Sequence, residues 1–258
     1  MRSSPTHVIF DLDGTLADSS EGILWSFRAT LEKIGLDASE DQLRHLIGPP
    51  LGDSFRILGV QESDIDQVVA WYREYYAARG VYEARLYDGV DLTLEALTER
   101  GVRLGVATAK RVDFAQQMLG AMGVAHLFDE ISGASVDLRV TSKFDIMSLV
   151  MDQWTWARGL DVWMVGDRHY DMKAARAHDV SAVGALWGFG RADELRAAGA
   201  HWLISRPSEL LDHDDGGGSP VCLLEEICDE CGAVVDASHE ASCPRRTTAR
   251  PSNDSHWV

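Results

Sequence analysis

Apolar and polar positions along the chain fall into two regimes. Near the start, "HVIF" (His7–Phe10) is a short apolar run that reads as a buried strand, and it leads straight into Asp11 and Asp13. A helical period follows. Ile23, Leu24, Phe27, Leu31 and Ile34 recur at helix spacing and Gly35 ends the run, with Asp18 as expected cap and Glu21 completing a capping box. Ser39 with Gln42 predicts a second capped helix that stops at Gly48-Pro49-Pro50. Ile65, Val68, Val69, Tyr72, Tyr75 and Tyr76 predict a third, closed by Gly80. Between Asp18 and about Leu86 the pattern predicts helices and no strand.

After Tyr87-Asp88-Gly89 helices and strands alternate. Leu92, Leu94 and Leu97 mark a helix ended by Gly101, and "VRLGVAT" (Val102–Thr108) a strand. A helix at Phe114–Met122, a short strand in "FDEISGAS" and a helix from Lys143 through Trp154 follow. "DVWMVGD" (Asp161–Asp167) is a strand, Met172–His178 a helix, and "VSAVGAL" and "HWLIS" the last strands. This alternation predicts an α/β fold: a Rossmann-like parallel sheet, covered on both faces, with an inserted α-helical cap and a short C-terminal extension. The expected divisions are 1–17 and 87–212 for the core, 18–86 for the cap, and 213–258 for a linker, "DHDDGGGSP", and an acidic tail containing Cys and His.

In an open parallel sheet, ligands gather beyond the C-terminal ends of the strands. Asp11, Thr108 and Asp167 end predicted strands there, Lys143 opens a helix on that side, and Asp171 lies about one helical turn past Asp167. Two carboxylates as close as Asp11 and Asp13 repel unless a positive charge or a reaction requires them. Residues two apart on a strand face the same way, so both can serve one site. A carboxylate cluster of this kind suits Mg²⁺, which keeps waters and binds substrate phosphate. Asp11 can then attack phosphorus, and Asp13 can give a proton to the leaving oxygen and later take one from water. Gly14 allows a turn that aims amide N–H groups at phosphate, and Thr108 and Lys143 can hold the remaining phosphate oxygens.

"DLDGTL", "VATAK", Lys143 and "VGDRHYD" resemble, in order, the four motifs of haloacid dehalogenase-like hydrolases over roughly residues 5–212. "IGPPL" (Ile47–Leu51) and "LYDGV" (Leu86–Val90) are similar to the phosphoglycolate-phosphatase-like branch, which has a small helical cap. The resemblance implies Asp11 as nucleophile, Asp13 as acid/base, and Thr108 and Lys143 as phosphate ligands. It implies Asp11, Asp167, Asp171 and the backbone carbonyl of Asp13 as the Mg²⁺ set. Phe144 follows the lysine where this branch often has proline. Motif order favours Lys143 over Lys110 as the phosphate lysine.

The expected activity is a Mg²⁺-dependent phosphomonoester hydrolase that passes through an aspartyl-phosphate. Its substrate would be a small phosphorylated metabolite, in the manner of a phosphoglycolate phosphatase or a nucleoside 5′-monophosphatase. The alternatives are a non-catalytic phosphate-binding regulator on the same fold, or a phosphotransferase. "WGFGRAD" (Trp187–Asp193) lacks the third glycine of a nucleotide-binding loop, which weighs against the last. Arg168 and His169 are expected to be solvated loop residues, the other reading being contact with an anionic substrate tail. Trp25 is expected to pack within the cap.

A net charge of −17 with no basic stripe argues against a nucleic-acid partner, and no apolar run approaches a membrane span, so a soluble cytoplasmic protein is expected. The first 221 residues contain no cysteine, so no disulfide framework is expected there. All four cysteines lie between Cys222 and Cys243. Cys228, Cys231, His239 and Cys243 can complete a tetrahedral Zn²⁺ site, with Cys222 as a substitute ligand. Such a tail would be a small stabilising or protein-contact module. The competing reading is a disordered acidic tail.

Overall fold

The computed structural model of the chain describes residues 4–48, 51–137, 139–154 and 161–212, all within one compact unit. The linker and the four candidate zinc ligands, Cys228, Cys231, His239 and Cys243, lie outside the described residues.

Strand β1 (His7–Phe10) sits in a parallel six-stranded sheet. The others are β4 (Arg103–Arg111), β5 (Glu130–Ala134), β6 (Val162–Gly166), β7 (Ser181–Ala185) and β8 (Trp202–Ile204), in the order β5-β4-β1-β6-β7-β8. Every residue of β6 and β7 is buried, as strands covered on both faces require. Helix α5 (Val90–Glu99) precedes β4, and α6 (Val112–Ala121), α7 (Lys143–Gln153), α8 (His169–Ala177) and α9 (Ala192–Ala197) follow β4, β5, β6 and β7. Val8 and Phe10 join one hydrophobic cluster with Leu94, Leu97, Met118 and Leu119 of α5 and α6. Ile9, between them, turns to the opposite face and is fully buried as well.

The chain leaves β1 through β2 (Ala17–Asp18) and returns through β3 (Arg85–Leu86), and these two short strands pair antiparallel. Between them lie α1 (Ser20–Ile34), α2 (Glu40–His45), α3 (Leu51–Ile57) and α4 (Ile65–Ala78). Their shared core is aromatic, with ring centroids of Phe27 4.9 Å from Tyr72 and 5.3 Å from Phe55.

Three expectations need correction here. Asp18 is not the cap of a helix with Glu21. It belongs to β2, Ser19 holds the cap position without a side-chain bond, and Glu21 pairs instead with Arg85 at 3.1 Å. The segment from Asp18 to Leu86 therefore does contain strands, at its two ends. Leu92 is 68 % exposed because α5 starts at Val90, which puts Val90, Thr93, Leu94 and Leu97 inward. Helices α3 and α9 were not read from the pattern. By contrast, the capping box of Ser39 and Gln42 on α2 is present. Among the described residues, no helix is long and apolar enough to cross a membrane.

Candidate active site

β1 pairs with β4 on one side and β6 on the other, with Phe10 level with Val106 and Val165. This register sets Asp11 and Asp167, just past the ends of β1 and β6, beside Thr108, which is not the end of its strand as expected, because β4 runs on to Arg111. The chain fills the sheet to one side of β1, then crosses to the other, so these ends flank the point where strand order reverses.

Two caps deliver the remaining residues. The Ser142 hydroxyl accepts from Asp145 N at 3.1 Å and starts α7 at Lys143. Asp171 Oδ2 accepts from Arg168 N at 3.0 Å, which fixes the Asp171 carboxylate at the N-terminus of α8. Lys143 Nζ then meets Asp11 Oδ1 at 2.7 Å, Asp171 Oδ1 at 2.8 Å and the carbonyl of Ala107 at 2.9 Å. Those three partners match the three donors of an ammonium group. Burial opposes the Lys143 charge, but Asp11 and Asp171 hold it protonated, with its pKa above the usual lysine range.

Asp11, Asp167 and Asp171 are all buried and can each present an oxygen within 4.8 Å of the others. Asp167 Oδ2 accepts from Phe189 N at 2.7 Å, and Thr15 Oγ1 lies 3.4 Å from its Oδ1. Burial, then the charges of Asp11 and Asp171, push the Asp167 pKa up to about 8. Burial also raises Asp11, although Lys143 opposes that rise. Asp11 Oδ1 and Asp171 Oδ1 have the Lys143 charge beside them but no well-directed hydrogen bond. Three crowded carboxylates, two of them with an under-satisfied oxygen, fit a hard divalent cation, which would hold all three ionised.

The Asp13 carboxylate is not part of this triad. It accepts from Ser19 Oγ at 2.5 Å and pairs with Lys110 Nζ at 3.0 Å. Gly14 has φ +87°, and a Cβ there would overlap the Asp167 carboxylate and the Phe189 ring. Its own N–H bonds the Ala17 carbonyl at 2.9 Å. Glycine is therefore required by backbone hand and close approach, and that N–H is already used. Thr108 is buried, and its hydroxyl accepts from Lys110 N at 3.2 Å. The "WGFG" stretch packs on Asp167, since a Cβ at Gly188 would overlap the Gly14 carbonyl and the Asp167 side chain.

A family model described as haloacid dehalogenase-like hydrolase matches residues 8–185. The chain belongs to this family. It is 43 % identical over 193 residues to the tyrosine-protein kinase PtkA of Mycobacterium tuberculosis, a match covering 74 % of this chain and 65 % of that protein's length. It is 37 % identical over 194 residues to a 5′-nucleotidase of Pseudomonas aeruginosa, covering 73 % of this chain and 86 % of the relative. A solved haloacid dehalogenase-like hydrolase of Streptococcus pneumoniae superposes with a TM-score of 0.76 at 32 % identity, over 82 % of this chain and 99 % of that one.

Within this member of the family, three contributors go beyond the sequence reading, in which Lys110 figures only as a phosphate lysine ranked below Lys143. Lys110 is buried against Asp13, and Tyr76 of α4 accepts from Lys110 Nζ at 2.7 Å. Lys110 follows Thr108 by two residues on β4, but the register shift between Thr108 and Arg111 breaks the strand alternation that would otherwise place it. The third is Glu194, which corrects the picture of Arg168 and His169 as solvated. Glu194 Oε1 accepts from Arg168 Nε and His169 N, both at 3.0 Å, and lies 2.7 Å from His169 Nδ1. Burial works against the Glu194 charge, but these bonds hold its pKa down at about 2. Arg168 also reaches the Ile47 carbonyl at 3.3 Å. Trp25 packs edge-on against Tyr75 of α4, 6.1 Å between centroids.

Proposed function

We propose that the chain is a Mg²⁺-dependent phosphomonoester hydrolase working through an aspartyl-phosphate on Asp11. The observation that carries this reading is the unequal setting of two carboxylates two residues apart. Asp11 lies in a buried cluster with Asp167, Asp171 and Lys143, and Asp13 faces a hydroxyl and a separate ammonium. Different surroundings for paired acids support different roles.

In this reading Asp11 attacks phosphorus and the bond to the ester oxygen breaks. Asp13 gives its proton to that oxygen, which leaves as an alcohol. Asp13, now ionised, takes a proton from water as the water oxygen attacks the acyl-phosphate phosphorus. The bond to Asp11 then breaks and inorganic phosphate departs. Asp11, Asp167 and Asp171, together with the Asp13 carbonyl that the family uses, would hold the Mg²⁺, which offsets charge between carboxylate and phosphate. Thr108 and Lys143 bind phosphate oxygens, Lys143 by giving up one of its three present partners. Residues 18–86 act as the cap that shapes the substrate cleft. The substrate is a small phosphorylated metabolite, with the 5′-nucleotidase relative favouring a nucleoside monophosphate.

Phosphotransfer to a protein hydroxyl is the second reading, favoured by the kinase relative. A panel of phosphate monoesters, assayed with Mg²⁺ and with chelator, tests the first. Phosphate release that needs Mg²⁺ and vanishes in Asp11→Asn is expected. Transfer from ATP to a tyrosine peptide without ester hydrolysis would replace the first reading with the second.

A further inference from the structure

Lys110 is an unusual place for a lysine, on a sheet strand with its side chain 8 % exposed. A buried ammonium is costly unless it is paired and bonded. Its partners are the Asp13 carboxylate at 3.0 Å and the Tyr76 hydroxyl at 2.7 Å. Asp13 and Tyr76 keep it charged against the pull of burial.

The backbone builds this contact. Pairing of β4 with β5 shifts register between Thr108 and Arg111, an irregularity of the kind that re-aims side chains beside sites. Gly133 on β5 makes room, since a Cβ there would overlap the Lys110 carbonyl. Tyr76 is anchored in turn. Its hydroxyl faces Met118 Sδ at 3.7 Å, and its ring packs on Phe114 at 5.4 Å and stacks on Tyr72 at 6.0 Å. Tyr76 belongs to α4, within the helical insertion, whereas Asp13 follows β1 of the sheet.

We propose that Lys110 is a positioning residue that ties the helical insertion, through Tyr76, to the orientation of Asp13, so that proton transfer to the leaving group depends on the placement of that insertion. This rests on the proposed role of Asp13 as the acid. Lys110 and Lys143 then divide the charge between them. Lys143 serves Asp11 and Asp171, and Lys110 serves Asp13 alone among the described carboxylates.

The test is leaving-group dependence, which a merely structural role does not produce. Alkyl phosphates need a proton on the departing oxygen, and p-nitrophenyl phosphate barely does. Wild type, Lys110→Met and Tyr76→Phe are compared on kcat/KM over a series from p-nitrophenyl to alkyl phosphate, with Mg²⁺ present. Lys110→Met is expected to lose about 10²-fold on alkyl esters and under about 10-fold on p-nitrophenyl phosphate. Tyr76→Phe keeps the ring and should show the same gradient with smaller losses. Losses equal across the series, or no loss, overturn the assignment. If Lys110→Met does not fold, the Tyr76→Phe series decides, graded losses supporting the tie and flat ones refuting it. A wild type inert on every ester overturns the reading of the site itself and this inference with it. An active wild type with flat variant losses overturns the inference alone.

Discussion

Asp11 and Asp13 stand two residues apart, yet the fold surrounds them with different materials. Asp11 is held wholly by the sheet core, with Lys143 from α7 and carboxylates from the end of β6 and the start of α8. Asp13 is held by Ser19, next to the entry of the helical insertion, and by Lys110, whose other partner is Tyr76 inside that insertion. One carboxylate sits in a buried, charge-dense cluster that could hold a metal. The other touches elements on both sides of the β2–β3 crossing.

Each prediction strains that contrast, from the largest effect to the smallest. Asp11→Asn removes the nucleophile's charge with little change in volume, and ester hydrolysis should fall roughly 10⁴-fold or more in steady-state assays. Asp13→Asn should lower kcat/KM, which reports the first half-reaction, about 10²- to 10⁴-fold on alkyl esters and much less on p-nitrophenyl phosphate, because the leaving-group proton donor is lost, while loss of the base slows turnover on both. Equal losses for both variants on both esters would erase the distinction.

Asp167→Asn should raise the Mg²⁺ concentration for half-maximal activity by about 10- to 100-fold, read from a Mg²⁺ titration. The same carboxylate makes a pH prediction for metal-free protein. Folded Asp167 is raised to about 8 from an ordinary 3.8, so between those values the folded state binds a proton that the unfolded chain has released. Stability in chelator should therefore fall as pH rises from about 4 to about 8. Melting curves should show that slope flattened in Asp167→Asn and reversed by Mg²⁺ in the wild type. Gly14→Ala places a side chain at φ +87° and against Asp167, and should cost about 1–3 kcal/mol in denaturant unfolding. The smallest effect is expected from ending the chain after Asp212. Every residue of the candidate site precedes that point, so kcat/KM should stay within about 2-fold in steady-state assays.

Much of the core was legible because its signals are redundant. β1, β4 and β6 are apolar runs ending in Asp11, near Thr108 and in Asp167, and burial on both sheet faces produces such runs directly. Asp18 misled because its carboxylate can cap a helix, and here accepts from Ser20 N at 3.0 Å, while its backbone pairs with Arg85. That pairing is invisible until residues 67 positions apart are brought together. Helices α3 and α9 span 7 and 6 residues, too few turns for a period to emerge. Lys110 ranks below Lys143 as the phosphate lysine by motif order, and its own contact depends on Tyr76 arriving from α4. Arg168 and His169 were read as solvated because Glu194, their shared acceptor, lies on the unpredicted α9.

The central claim, that Asp11 carries the phosphoryl group, is tested most directly by trapping. Enzyme quenched during turnover of an ester with Mg²⁺ is reduced with borohydride, which converts an aspartyl-phosphate to homoserine, and the peptide containing residue 11 is read by mass spectrometry. The account predicts homoserine at position 11 in the wild type and none in Asp11→Asn. Reduction at another carboxylate, or none anywhere in an enzyme that is turning over, would contradict it.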